Sequence, residues 1–298
     1  MSLSLLVLAL ASCGLAGCGN QTGSGPELTL ISLGDSLAVG VQPRLFGGGT
    51  ETAQGYPRQL ATLLRNRGRR VKLVELGCGA ATSSSVISGG RECAPKRSTP
   101  YRNEDPASSQ LAYAEGLLST LGTRPAAVIL DIGGNDVGSC LNGGAVPDDC
   151  IARAGRNLSK NLDTILTRLR TVRPDVPVAI LNLYDPFLGL WHTQPDARRQ
   201  LIALHRQFLQ QVNATIATAA QDHGALLADL GGRLSQTQTP QPGDTDPPAV
   251  RAICANTWMC VTPPQVPDIH LRRRGYAQAA AALDAVLAPR LIAAAASP

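Results

Sequence analysis

An α/β fold, with a parallel sheet covered by helices on both faces, is predicted by three features of this 298-residue sequence. Five short runs are almost continuously apolar, as strands buried on both faces must be. Helical patterns separate them, so strand and helix alternate along the chain. Gly, Asp, Ser and Asn gather just past the runs, where ligands bind in such sheets. The prediction is a three-layer α/β/α sandwich around a five-stranded parallel sheet in flavodoxin-like order.

The strand-like runs are LTLISL (28–33), VKLVEL (71–76), AAVILDI (126–132), VPVAILNL (176–183) and ALLADL (225–230). Helical patterns occupy 57–66, 109–121, 153–173 and 196–221, and a last helix follows Gly275. In the fourth of these Leu201, Leu204, Phe208, Val212 and Ile216 recur every three or four residues, an amphipathic stripe. The Pro-, Thr- and Gln-rich stretch 235–250 reads as a surface insertion, or else as a rim of the site.

With 44% hydrophobic and 16% charged residues the chain is globular, and 28–298 reads as one domain. The net charge of +5 is scattered, and aromatics make up 3%, so no basic cluster is interleaved with stacking rings and nucleic acid is not an expected partner. Arg272 to Arg274 form a dense run that reads as a solvated face. P-loop, dinucleotide and HExxH motifs are missing, which predicts neither cofactor nor metal.

Residues 1–17 read as a signal peptide, too short for a membrane span. LAGC ending at Cys18 resembles a bacterial lipobox, so Cys18 is the expected lipidation site and 18–27 a tether. LASC ending at Cys13 also fits, and ordinary secretion is the alternative. The mature chain is expected outside the cytoplasm, monomeric, touching a membrane only through the anchor. Six further cysteines fall in three local couples, predicting the bridges Cys78–Cys93, Cys140–Cys150 and Cys254–Cys260. Zinc is the competing reading, but no couple has CxxC spacing.

Four segments carry candidate chemistry. The first run delivers Gly34, Asp35 and Ser36, as if to start a helix; the second leads into GCGAATS (77–83) and the third into GGND (133–136). Far downstream, PDIHLRRRGY supplies Asp268 and His270. A Ser with a His nearby is an activated nucleophile, and a Gly N–H with an Asn amide could bind a tetrahedral oxyanion. Each piece has a plainer reading: Asp35 or Ser36 as a helix cap, Gly79 as a turn glycine, Asn135 bonded to backbone, His270 exposed before a helix. Meeting in order at successive strand ends makes the chemical reading the stronger one.

In these motifs the sequence resembles the SGNH hydrolases, the GDSL esterase/lipase family, from about Leu28 to the last helix. The cysteine pattern, YDPF (184–187) and TWMC (257–260) resemble an exported bacterial branch. The resemblance implies that Ser36 is nucleophile and one oxyanion donor, that Gly79 and Asn135 are the other donors, and that His270 is the base. It implies a small-molecule or lipid ester as substrate, and leaves Asp136 a structural role between loops. Family members commonly place the triad acid three residues before the His, where this chain has Pro267. Asp268, two before, is therefore the expected third member, with a backbone carbonyl near Pro267 as its rival. Tyr184, Phe187, Leu188, Leu190 and Trp191 could form an apolar acyl wall or cover the fold's own edge. His223 is expected at a helix end, His205 as a solvated or core-edge residue, and His192 as a possible pocket residue. Two rival functions are a carbohydrate O-acetylesterase of the same fold and a non-catalytic surface lipoprotein that binds without turnover.

Overall fold

The computed structural model describes residues 25–90, 93, 109–141 and 149–296. The signal segment, Cys18 and most of the tether lie outside these residues. Five strands form the central sheet: β1 (Leu28–Gly34), β2 (Val71–Glu75), β3 (Ala126–Asp131), β4 (Val178–Leu181) and β5 (Leu226–Ala228). All neighbours pair in parallel, in the order β2-β1-β3-β4-β5, which is the flavodoxin-like order expected. Every residue of β1 and β3 is buried, and alternate side chains serve opposite faces.

Ile31, Leu33, Val128 and Leu130 face one helical layer. It comprises α2 (Ser83–Ser88), α3 (Gln110–Leu121), α4 (Gly134–Leu141), α5 (Cys150–Val172) and α7 (Ala214–Asp222). Leu28, Leu30, Ala127 and Ile129 face the other. It comprises α1 (Tyr56–Asn66), α6 (Arg198–Gln207), α8 (Leu230–Arg233), α9 (Pro248–Asn256) and α10 (Arg273–Ala296). No described helix is long and apolar enough to cross a membrane.

Three expectations about elements change. The single helix expected over 196–221 is broken by a π turn at Phe208–Asn213. Its apolar stripe changes layer there: Leu201 and Ile202 pack in one core cluster, Phe208, Val212 and Ile216 in the other. The extra residue of a π turn rotates the helix face and aims Asn213 inward, onto the backbone of Leu183. Past Ser36 there is no helix. Val41 N–H reaches Ser36 O at 3.0 Å and the turn ends at Gly40, whose φ of +62° and 2.2 Å approach of any Cβ to Gly55 N admit only glycine. Finally, the segment carrying His270 is a strand, Asp268–Leu271, paired antiparallel with Thr257–Trp258.

The three cysteine couples are bridged as expected, with Cα–Cα distances of 5.4, 5.7 and 5.0 Å. The 235–250 stretch is tied down at Gln236, fully buried, and at Asp244, whose carbonyl accepts the Trp191 indole N–H at 3.1 Å.

Candidate active site

Between Leu28 and Val41 every residue is buried except Ser36, which reaches out of an otherwise closed stretch. Its position is set by close packing of β1 on β3. At Gly34, φ is +148° and a Cβ would stand 1.9 Å from Asp131 Oδ1 and 2.7 Å from the Asp131 carbonyl. The Gln110 side chain, at the start of α3, then pairs with Gly34 as a strand would, accepting from its N–H at 2.8 Å and donating to its carbonyl at 2.9 Å. Asp35 Oδ1 accepts the Leu37 N–H at 3.0 Å and caps the turn, while the Ser36 hydroxyl makes only a loose 3.5 Å contact with it. The hydroxyl is thus presented and weakly held.

Asp268 Oδ1 accepts from both the Nδ1 of His270, at 2.6 Å, and the His270 backbone N–H, at 2.8 Å. A tight turn lets a carboxylate two residues upstream reach the ring, and with Nδ1 donating, Nε2 is left as the basic nitrogen. Burial pushes the Asp268 carboxyl up, but the hydrogen bond from the ring, its charge and the backbone N–H outweigh this and leave it below the ordinary carboxylate value. The strand is fixed by Tyr184, whose buried hydroxyl donates to the Ile269 carbonyl at 2.6 Å, and by pairing with Thr257–Trp258, which the Cys254–Cys260 bridge brackets.

Asn135 lies in the first turn of α4. Its Nδ2 donates to the Ala81 carbonyl at 2.8 Å, which orients the amide, and to Asp35 Oδ2 at 3.3 Å, the longer of the two bonds. The Ala81 bond also ties α4 to the loop of Gly79. That loop is strained: Ala80 has φ +66°. Among the described residues neither the Ser36 N–H nor the Gly79 N–H donates to a protein acceptor. Asp136 accepts from the backbone N–H of Ser83 at 3.0 Å, so it joins α4 to α2 as the structural reading of it expected.

Ser36, Asn135 and His270 line one cleft. Its walls are apolar: Leu37, Val137, Leu183, Tyr184, Phe187 and Phe208. Gly79 is buried on the adjoining loop and is not among the lining residues. Of the wall expected from sequence, Tyr184 and Phe187 contribute; Leu188 and Trp191, both fully buried, belong to the core behind.

A family model for the GDSL-like lipase/acylhydrolase family matches residues 32–278. The chain belongs to that family. Among solved structures, the extracellular lipase from Streptomyces rimosus is 19% identical, with a TM-score of 0.53, covering 87% of this chain and 99% of its own. A carbohydrate esterase family 2 enzyme with its carbohydrate-binding domain, from Corynascus thermopiles (Myceliophthora fergusii), is 17% identical, with a TM-score of 0.50, covering 91% of this chain and 68% of its own. At such identities these structures share the fold. No curated protein sequence matches the chain significantly.

This GDSL-family site rests on groups that its motifs do not reveal. Asp131, fully buried at the end of β3, accepts the Tyr56 hydroxyl at 2.5 Å, and its Oδ2 has no partner. Burial, and then the negative charge of Asp35, push Asp131 well above the usual carboxylate range; Asp35 is raised as well, by burial first. Two more buried amides repeat the Gln110 device: Asn213 pairs with the N–H and carbonyl of Leu183, and Gln236 with those of Asp185. His205, expected to be solvated or at the core edge, is fully buried, its Nδ1 3.1 Å from an equally buried Asp185 Oδ2, because α6 turns that face inward. His192 does not line the cleft; it is half-exposed, 3.5 Å from Asp246. His223 follows the last turn of α7, its ring on Asp163 at 2.9 Å. In sequence these are ordinary polar residues with no spacing signal.

Proposed function

We propose that this chain hydrolyses carboxylic esters of apolar acyl groups through an acyl-enzyme on Ser36. The observation that carries the reading is the convergence of Ser36, Asn135 and His270 on one apolar cleft, with His270 oriented by Asp268. His270 Nε2 takes the Ser36 proton as Oγ attacks the ester carbonyl. The oxyanion is met by the N–H groups of Ser36 and Gly79, which have no protein acceptor in the free site, and by the Asn135 amide, which exchanges its long bond to Asp35 for the oxyanion. Asp268 holds the tautomer and stabilises the imidazolium. His270 returns the proton to the departing alcohol, then activates water against the acyl-enzyme. Metal and cofactor have no part in this scheme. The mature chain works outside the cytoplasm as a monomer, lipidated at Cys18; the three disulfides support export.

The test is labelling of the folded protein by a fluorophosphonate, with a nitrophenyl-ester panel from acetate to palmitate on wild type and Ser36→Ala. Labelling at Ser36, with a fall in turnover of at least about a thousandfold in the variant, is expected. An unlabelled Ser36 sinks the reading in favour of a binding module. Turnover of acetylated sugars with none of longer acyl esters points to the carbohydrate O-acetylesterase.

A further inference from the structure

Among the described residues, four large apolar side chains stand exposed: Leu45 (49%), Phe46 (84%), Val266 (51%) and Ile269 (44%). They fall on only two short segments. Leu45 and Phe46 sit at the tip joining Gln42–Pro43 to its antiparallel partner Gly49–Thr50. Val266 and Ile269 flank Asp268 on the segment that carries His270. The segments are fastened together: Gln42 Nε2 donates to the Leu271 carbonyl at 2.8 Å, the Trp258 indole N–H donates to Gln42 Oε1 at 3.1 Å, and the Tyr276 hydroxyl donates to the Val41 carbonyl at 2.9 Å. Ile269 is exposed and also lines the Ser36 cleft, so apolar surface runs from the outside into the site. Single exposed apolar residues are ordinary; four confined to two fastened segments, one of which lines the cleft, mark a contact surface.

The charges of the rim indicate what covers it. On 42–50 and 262–274 the exposed charged side chains are Arg44, Arg273 and Arg274. Arg272 is half-buried over the Trp258 ring at 4.5 Å, and the segment's acid, Asp268, is paired with His270. A second copy of this surface would bring like charges together. An anionic lipid surface meets both features, with apolar side chains among the acyl chains and guanidinium groups at the phosphates. We propose that this rim docks the protein on an anionic lipid surface, which, given the ester-hydrolase reading above, delivers an acyl ester into the cleft without passage through water.

The experiment uses the exported protein carrying Cys18→Ser, so that no lipid anchor contributes, and Ser36→Ala, so that vesicles stay intact. Sedimentation with phosphatidylglycerol/phosphatidylcholine vesicles is compared with pure phosphatidylcholine. Expected are tighter binding to the anionic vesicles, weakening with salt, and a loss of at least about tenfold on Leu45→Ser with Phe46→Ser. Exchange of Arg44, Arg273 and Arg274 for Gln is expected to remove the preference for anionic lipid. With Ser36 restored, the Leu45 and Phe46 variant is expected to hydrolyse a soluble butyrate ester at the wild-type kcat/KM, because neither side chain lines the cleft. Equal binding to both vesicles, or undiminished binding by the variant, overturns the proposal. So does rim-dependent self-association in ultracentrifugation without vesicle binding. Rim-dependent vesicle binding with no soluble-ester turnover in any form would uphold docking and defeat the hydrolase reading.

Discussion

Asp268 and Asp131 show how environment divides two like residues. Asp268 has donors on one oxygen and is depressed; Asp131 is fully buried against Gly34 with an unpartnered oxygen and is raised. The depressed carboxyl contributes stability that is present above the unfolded-state value near 4 and is lost as pH falls through its lower folded value. The raised pair has the opposite sign: the folded state binds more protons, so stability declines as pH rises above about 4 toward the folded value. Asp131→Asn keeps an acceptor for Tyr56 and removes that titration. Melting curves across pH should show the variant gaining on wild type toward alkaline pH; parallel curves would mean that Asp131 is ionised in the fold. Asp268→Asn should lower turnover by more than a hundredfold, approaching the roughly ten-thousandfold seen when a triad Asp is neutralised elsewhere. Turnover within about tenfold of wild type would assign the orientation of His270 to the backbone. Asn135→Ala should cost roughly a hundredfold in kcat with KM little changed, because the amide exchanges its long bond to Asp35 for the oxyanion only after attack. A defect confined to KM would make it a substrate-binding residue.

At the scale of elements, strands and helices followed from periodicity, but the joints between them did not. Apolar runs announce β1 to β5 because both faces are covered, and their ends announce the site because parallel strands deliver their carboxyl ends to one edge. The buried amides Gln110, Asn213 and Gln236 are invisible by the same logic. Each carries out a strand's hydrogen bonding where the sheet stops, and that role depends on a backbone far away in sequence. Gln110→Leu should leave the buried Gly34 N–H unpaired, at a cost of about 1–3 kcal/mol. Denaturant titration measures this, and an unchanged midpoint would mean that another acceptor or water takes the place of the amide. Turnover should fall more than stability alone requires, since Gly34 holds Asp35 and Ser36 in place.

For the whole molecule, the three bridges gather at the functional end. Cys78 adjoins Gly79, Cys140 shares α4 with Asn135, and Cys254–Cys260 brackets the partner of the His270 strand, whereas both core clusters are held by apolar burial between the sheet and its helices. Reduction should therefore abolish turnover while far-UV circular dichroism persists. Concerted loss of both signals would show that the bridges hold the fold itself. Breaking Cys78–Cys93 alone should damage turnover more than breaking Cys140–Cys150, because the first adjoins Gly79, a proposed oxyanion donor, and the second lies five positions from Asn135. The reverse order would place the more sensitive donor on α4.

Alternation of buried runs and amphipathic stripes was enough to determine the layers, the strand count, the cysteine couples and the segments that meet at the site, since each is written in local spacing. Tertiary structure alone decided that Ser36 emerges from a turn closed by Gly40 and that Asp268 folds back onto His270. It also decided that Asp131 stands buried against Gly34 and that the exposed Leu45 and Phe46 lie on a hairpin fastened to the segment of Ile269. The reason is physical: a residue's protonation, exposure and partners depend on the neighbours brought to it by folding, and these come from segments up to 235 residues away, as between Val41 and Tyr276.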